Sequence, residues 1–136
     1  MLIRYPESVA MIAIEDGAAI LVVQPRPGAD EHTFELPAGC LEPGESPAEA
    51  ATRELREECS LKARSWRELG SFWAAPAYST ERVHAFEARE LEPWPGVPDA
   101  DEEIAVKRVP LIDLPEALSD ATSIAAYALW AKGGSR

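Results

Sequence analysis

The sequence is short of several things at once. Its 136 residues include two cysteines, two histidines and only 13 Lys and Arg against 24 Asp and Glu. Each shortage closes a class of function. A membrane-spanning helix needs ~20 consecutive apolar residues, and no run approaches that length. The N-terminal stretch MLIRYPESVA lacks the apolar core and small-residue cleavage site of a secretory signal. Binding a nucleic-acid backbone requires clustered Lys and Arg, whereas the net charge here is −11. Cys40 and Cys59 bracket a segment read as mostly one helix, about 18 Å long at ~1.5 Å per residue, and a disulfide needs Cα atoms within ~7 Å. Reduced cysteines, packed as small apolar residues, and a cytoplasmic location are therefore expected. His32 and His84 have no metal-ligand spacing to another His or Cys and read as structural. No repeat or low-complexity linker interrupts the chain. Its length and 46% hydrophobic content predict one domain, 1–136, with a real core.

What is abundant is acid, and it is unevenly placed. Residues 39–61 hold six acids and two arginines, and residues 99–103 (DADEE) hold four acids and no base, so the two stretches carry −8 of the −11. Around them the apolar pattern predicts the elements. Ser8–Ile14 and Ala18–Gln24 are apolar and β-branched with Glu15-Asp16-Gly17 between them, a hairpin signal. Pro25-Arg26-Pro27-Gly28 is expected to end the second strand, because proline cannot donate to a ladder. His32–Leu36, Ser65–Ala74, Arg82–Glu90 and Ile104–Val109 read as further strands. Ser46 as N-cap, Pro47 at the first helical position and Glu49 three residues after the cap predict a helix running to about Cys59. Its apolar face is Ala48, Ala51/Thr52, Leu55 and Cys59. Leu114–Leu118 reads as a short helical turn. Ser123–Ala131 reads as a C-terminal helix capped by Asp120 or Ser119 and anchored by Ile124, Leu129 and Trp130. Strands first and last around a central helix give an α+β fold class, in mixed α/β layers.

Glu54, Glu57 and Glu58 stand at i, i+3 and i+4, within ~100° of arc on one helix face. Like charges so placed destabilise a helix unless something compensates. Arg53, four residues before Glu57, offsets one of them, and Arg56 is a second candidate. Spacing alone leaves two readings open. The acids form a solvated face, or they form a site for a hard divalent cation, which takes oxygen ligands and pairs one or two carboxylates with substrate phosphates.

A longer pattern favours the second. Gly39, five residues, Glu45, seven residues, then Arg53-Glu54-Leu55-Arg56-Glu57-Glu58-Cys59-Ser60-Leu61 resembles the Nudix box, G-x5-E-x7-R-E-U-x-E-E-x-G-U, where U is a bulky aliphatic residue. Eight of its nine defined positions match over 23 residues. Ser60 replaces the last glycine, which predicts a less sharp helix end. The resemblance implies a Nudix fold, a mixed β-sheet sandwiched between helices, and metal-dependent hydrolysis of a nucleoside diphosphate linked to another group, with Mg²⁺ or Mn²⁺. It implies Glu54, Glu57 and Glu58 as metal ligands and catalytic groups. Gly39, Glu45 and Arg53 are then the structural part of the box, with Glu45 and Arg53 bracing the loop against the helix as an ion pair. Such metals neutralise the diphosphate and lower the pKa of the attacking water, whose proton a carboxylate takes or orients.

Gln24–Gly28 and Glu35–Gly39 before the box, with Ala75-Pro76-Ala77 and Glu81–Ala88 after it, resemble the ADP-ribose pyrophosphatase subgroup. That likeness implies Arg26 and Glu35 as substrate-binding residues, the Ala38 carbonyl as a metal ligand, and Pro76 as the subgroup's marker proline, fifteen residues past Leu61. Ala75 and Ala77 depart from the subgroup's Ser and Gly. Tyr78 stands near the marker tyrosine of dinucleoside polyphosphate hydrolases, and either stacks on a base or packs. An acidic loop before the equivalent strand implies Glu102, and second Glu103, as a further metal ligand or the base. Trp66, Trp73 and Trp130 read as core or interface residues. Trp94, in a Pro-rich loop, is the tryptophan best placed to touch a ligand or a partner subunit. The expected reaction is cleavage of ADP-ribose to AMP and ribose 5-phosphate, or of another nucleotide such as flavin dinucleotide or a dinucleoside polyphosphate. The rival is a non-catalytic nucleotide-sensing Nudix module, against which the complete set of box acids speaks. The expected partner is a small-molecule nucleotide, with no nucleic acid and no membrane. A homodimer is a family-level expectation.

Overall fold

The computed structural model describes residues 1–95 and 104–133. At its centre is β1 (Ser8–Glu15), buried along all but its last residue. A strand buried on both faces needs apolar side chains of both parities, and SVAMIAI supplies them. Val9, Met11 and Ala13 point into one core with Ala50, Ala51, Leu55 and Phe86. Ala10, Ile12 and Ile14 point into the other with Leu36, Leu114, Ala126 and Trp130. The α+β expectation, a mixed sheet between helices, is what the structure shows.

Around β1 the strands run β3 (Glu31–Glu35), β2 (Ala18–Arg26), β1, β6 (Arg82–Pro93), β5 (Leu61–Trp73), with β4 (Ala38–Cys40) also on β1 and β7 (Ala105–Pro110) also on β2. β6 lies parallel to β1 while the other pairings are antiparallel. The helices are α1 (Pro47–Cys59), α2 (Leu114–Ala117) and α3 (Ala121–Lys132). None among the described residues is long and apolar enough to cross a membrane.

Four expectations need correction. β2 does not stop at Pro25: it continues to Arg26, with Pro25 opposite His32 and Arg26 opposite Glu31. Among the described residues β7 accompanies β2 only as far as Val23, and Pro25, which has no N–H to donate, lies beyond that stretch of ladder. Pro37-Ala38-Gly39 does not simply end a strand, since Ala38–Cys40 pairs with Ser8–Ala10 as β4. On α1, Ala48 is exposed and Ala50 is buried instead, beside Ala51 and Leu55. On α3, Ile124 is 47% exposed. The buried stripe there is Ser123, Ala126 and Trp130, fixed by the Ser123 hydroxyl, which accepts the Leu36 N–H at 2.9 Å.

Candidate active site

Both ends of α1 are built by local chemistry. The Ser46 hydroxyl accepts the Glu49 N–H and the Glu49 carboxylate accepts the Ser46 N–H, at 3.1 and 3.0 Å. This reciprocal cap is worth about 1 kcal/mol. At the other end Ser60 adopts the left-handed conformation, φ 56° and ψ 39°, and donates its N–H to the Arg56 carbonyl at 2.8 Å. The helix therefore stops at Cys59 as sharply as a glycine would stop it, and the softer end expected of serine is not seen. Serine in this conformation costs about 1 kcal/mol.

Between these ends Arg53 organises the acids. Its Nε and Nη2 donate to the two oxygens of Glu45 at 2.8 and 2.9 Å, Nη1 donates to Glu54 at 2.9 Å and to Glu57 at 3.2 Å, and Nη2 also reaches the Cys40 carbonyl at 2.9 Å. A planar fork suits this arrangement and an ammonium would not. The Arg53 guanidinium and the Glu42 N–H together hold the Glu45 carboxyl down to about 2. Glu54 responds in the opposite sense. Burial raises its pKa above the ordinary carboxylate range, Glu57 and Glu45 push the same way, and Arg53 only partly counters them. The reason for Gly39 lies here, since a Cβ on it would stand 2.2 Å from the Glu54 carboxyl carbon. Glu58 accepts the Ala38 N–H at 2.9 Å, which ties β4 to the acid face of α1.

These side chains line a cleft of about 240 Å³ whose wall includes Gln24, Arg26, Glu35, Ala38, Glu54, Glu57, Glu58 and Ile104. Among the described residues no three His, Cys, Asp or Glu side chains converge into a ready-made metal cage. A hard cation such as Mg²⁺ asks for less, one or two carboxylates with water and substrate phosphates completing its shell. A wall with four carboxylates against one guanidinium, and a Glu54 whose charged form burial disfavours, fits such an ion.

A larger cleft of about 530 Å³ adjoins the first and shares Arg26, Glu35, Leu36 and Ala38 with it. At this boundary Arg26 grips the buried Glu35 through Nε and Nη2, both at 2.8 Å, and Thr33 donates its hydroxyl to the same carboxylate. Burial pushes the Glu35 pKa up, but the bonds from Arg26 and Thr33 outweigh it and leave the carboxyl below its ordinary range.

The NUDIX domain family matches residues 4–129. The chain belongs to that family. An ADP-ribose pyrophosphatase of Bacillus subtilis (strain 168) is 38% identical over 91 residues, which are 66% of this chain and 49% of that protein. This chain thus spans about half the length of that relative. The ADP compounds hydrolase NudE of Escherichia coli (strain K12) is 30% identical over 138 residues, 96% of this chain and 74% of that protein. A crystal structure of an ADP compounds hydrolase matches with a TM-score of 0.83 at 31% identity, over 93% of this chain and 73% of that one.

Against this Nudix frame the remaining candidates divide. Arg26, Glu35, Ala38, Glu54, Glu57 and Glu58 are brought together on the two clefts, with Gly39 on the wall of the larger one and Glu45 and Arg53 behind them. Pro76 and Tyr78 are not on either cleft wall. Both lie in the turn after β5, where the Tyr78 N–H meets the Ala75 carbonyl and its own carbonyl accepts the Ile3 N–H. Asp99, Asp101, Glu102 and Glu103 lie outside the described residues. Arg56 does not offset the acid face: its guanidinium lies 4.2 Å from the centre of the Trp94 ring, and it donates to the Pro95 carbonyl. Trp94 thus carries a guanidinium of its own chain on its ring. His84 pairs with Glu7 at 2.8 Å. Both cysteines are free, and burial followed by the nearby Glu58 charge pushes the Cys59 thiol up to about 12. Sequence reasoning missed Tyr5, Ser8, Thr33 and Glu81 on the larger cleft. Thr33 left a signal, two residues from Glu35 and so on the same face of β3, and Glu81 opens the Glu81–Ala88 stretch that carries the subgroup likeness.

Proposed function

We propose that this Nudix domain is a metal-dependent hydrolase of ADP-ribose or a closely related ADP compound, releasing AMP and, from ADP-ribose, ribose 5-phosphate. The observation that carries the reading is the continuity of the two clefts. The acid cleft suits a diphosphate that arrives with a cation, and the larger cleft suits the group attached to it. Relatives named ADP-ribose pyrophosphatase and ADP compounds hydrolase support the same substrate class.

In this reading Glu54, Glu57 and Glu58, with the Ala38 carbonyl, hold Mg²⁺ or Mn²⁺. Such an ion supplies charge neutralisation of the diphosphate and a more acidic bound water. The chain's own contribution is positioning. Arg53 fixes Glu54 from one side and Gly39 leaves it room on the other, while Glu58 is tied to β4. A water oxygen bonds to phosphorus, the bridging P–O bond breaks, and the departing phosphate keeps its electron pair. A carboxylate takes the water's proton, with Glu102 and then Glu103 as the candidates the sequence supplies.

The test is Glu58→Gln assayed for AMP release from ADP-ribose with Mg²⁺, alongside circular dichroism. Lost turnover in a folded variant supports the assignment, and near-full activity overturns it. A panel of ADP-ribose, flavin dinucleotide, NADH, diadenosine polyphosphates and nucleoside triphosphates, each with Mg²⁺ and Mn²⁺, ranks the substrates. No turnover on any of them would favour a nucleotide sensor. A homodimer belongs to the same reading and is checked by light scattering.

A further inference from the structure

At the junction of the two clefts the members of the Arg26–Glu35 pair are unequally exposed. The Glu35 side chain is 9% exposed and the Arg26 side chain 49%. Strand register explains what meets there. Val22, Gln24 and Arg26 on β2 stand opposite Glu35, Thr33 and Glu31 on β3, so these side chains leave one face of the sheet. A carboxylate has about four lone-pair sites. On Glu35, Arg26 fills two through Nε and Nη2, both at 2.8 Å, the Thr33 hydroxyl donates to Oε2, and Gln24 Nε2 donates to Oε1 at a longer 3.5 Å. The acceptor capacity of Glu35 is therefore spent within its own chain. Arg26 is not saturated. A guanidinium has five N–H donors, and its Nη1 has no partner among the described residues.

Resting on the hydrolase reading above, we propose that Glu35 is a positioning residue and not a ligand of the nucleotide. With Thr33 and Gln24 it holds the Arg26 guanidinium in one orientation, and the Nη1 edge of Arg26 is what the nucleotide's oxygens meet. A long, flexible side chain that is ordered before binding does not have to be ordered by the ligand. That ordering otherwise costs roughly two- to tenfold in affinity for each such side chain.

The experiment is a double-mutant cycle read by calorimetry, with Mg²⁺ and a methylene-bridged ADP-ribose that cannot be cleaved at the diphosphate. Glu35→Asp keeps the charge and withdraws the carboxylate by one methylene. It should weaken binding roughly two- to tenfold in the wild-type chain. Where Arg26 is replaced by alanine it should change nothing further, because nothing is left to position. Arg26→Ala alone should cost roughly ten- to a hundredfold, as for a charge-assisted bond. Thr33→Val, which removes a donor to Glu35 without changing charge, should likewise weaken binding only where Arg26 is present. Equal losses from Glu35→Asp in both backgrounds would make Glu35 a ligand itself and overturn the proposal. No loss in either background, or no binding by the wild-type chain, overturns it too. Arg26→Ala leaves a buried carboxylate without its partner, so a second measurement does without that variant. The ¹H–¹⁵N signal of Arg26 Nε, assigned by its loss in Arg26→Lys, should keep its hydrogen-bonded position when the analogue binds. An upfield move on binding, as Glu35 lets go of Arg26, overturns the proposal. AMP release from ADP-ribose is assayed separately, so its absence would refute the hydrolase reading while the binding cycle still judges this one.

Discussion

Gly39→Ala should separate stability from activity. A Cβ at that position would lie 2.2 Å from Cδ and Oε1 of Glu54 and 2.6 Å from Oε2. Comfortable contacts between such atoms begin nearer ~3.5 Å, so the carboxylate must retreat by roughly 1 Å. It is able to, because it is the far end of a flexible side chain, and the backbone of Gly39 is outside the left-handed region that would exclude alanine. Alanine also restricts the unfolded chain, a gain of about 0.4–1 kcal/mol. Against this stands the 2.9 Å bond from Arg53 to Glu54, a charge-assisted bond worth about 1.5–3 kcal/mol if lost outright. The balance is a loss of roughly 1 kcal/mol, or a few degrees in Tm, which leaves the protein folded. Catalysis is less forgiving, since misplacing a reacting group by ~1 Å costs about a hundredfold. Melting followed by circular dichroism, AMP release at saturating ADP-ribose and Mg²⁺, and Mn²⁺ binding by calorimetry test the two halves together. Full turnover and unchanged metal affinity would refute the claim that the site needs Glu54 where it stands. A collapse of Tm would refute the claim that its carboxylate can yield. In the second case Glu54→Asp, one methylene shorter, added to Gly39→Ala should restore the fold without restoring the rate.

Three further outcomes are expected. Arg53→Ala strands Glu45, Glu54 and the Cys40 carbonyl together and should cost roughly 2–4 kcal/mol in urea unfolding, with Arg53→Lys recovering only part because the fork is lost. Ser60→Gly should add about 1 kcal/mol by relieving a left-handed serine, with kcat unchanged, since Ser60 points no chemistry at either cleft. Glu45 is lowered from 4.5 to about 2 in the native state, so the unfolded chain binds the proton more readily. The stability this supplies is present above about pH 4.5 and lost as pH falls toward about 2. Glu45→Gln should flatten the plot of urea midpoint against pH in that window.

Much of the fold was legible because its signals are local. The hairpin of β1 and β2, the cap at Ser46, the length of α1 and the cap at Asp120 each follow from residues within a few positions of one another. The same holds for the acid face, since a helix places Glu54, Glu57 and Glu58 together wherever it sits. The errors fall where a distant segment decides. Ile124 is as apolar as a core residue should be, yet the Leu36 N–H claims Ser123 and turns the helix so that Ile124 faces out. The stacking of Arg56 on Trp94, 38 positions later in the chain, is of the same long-range kind. β4 is three residues long, too short for any periodicity, and exists because β1 has an open flank beside Ser8–Ala10.

The sequence by itself determined the helix with its three acids, the arginine that braces them, and the family resemblance that spacing carries. These need only bonds along one chain segment, and helical geometry is the same everywhere. The tertiary structure alone decided that Gly39 is required by the Glu54 carboxylate, that Arg26 is occupied by Glu35, and that Tyr5, Ser8, Glu81 and Asp120 share one cleft. Those residues come from both ends and the middle of the chain. Only the packing of two helices on opposite faces of β1 and its neighbours brings them onto one cleft.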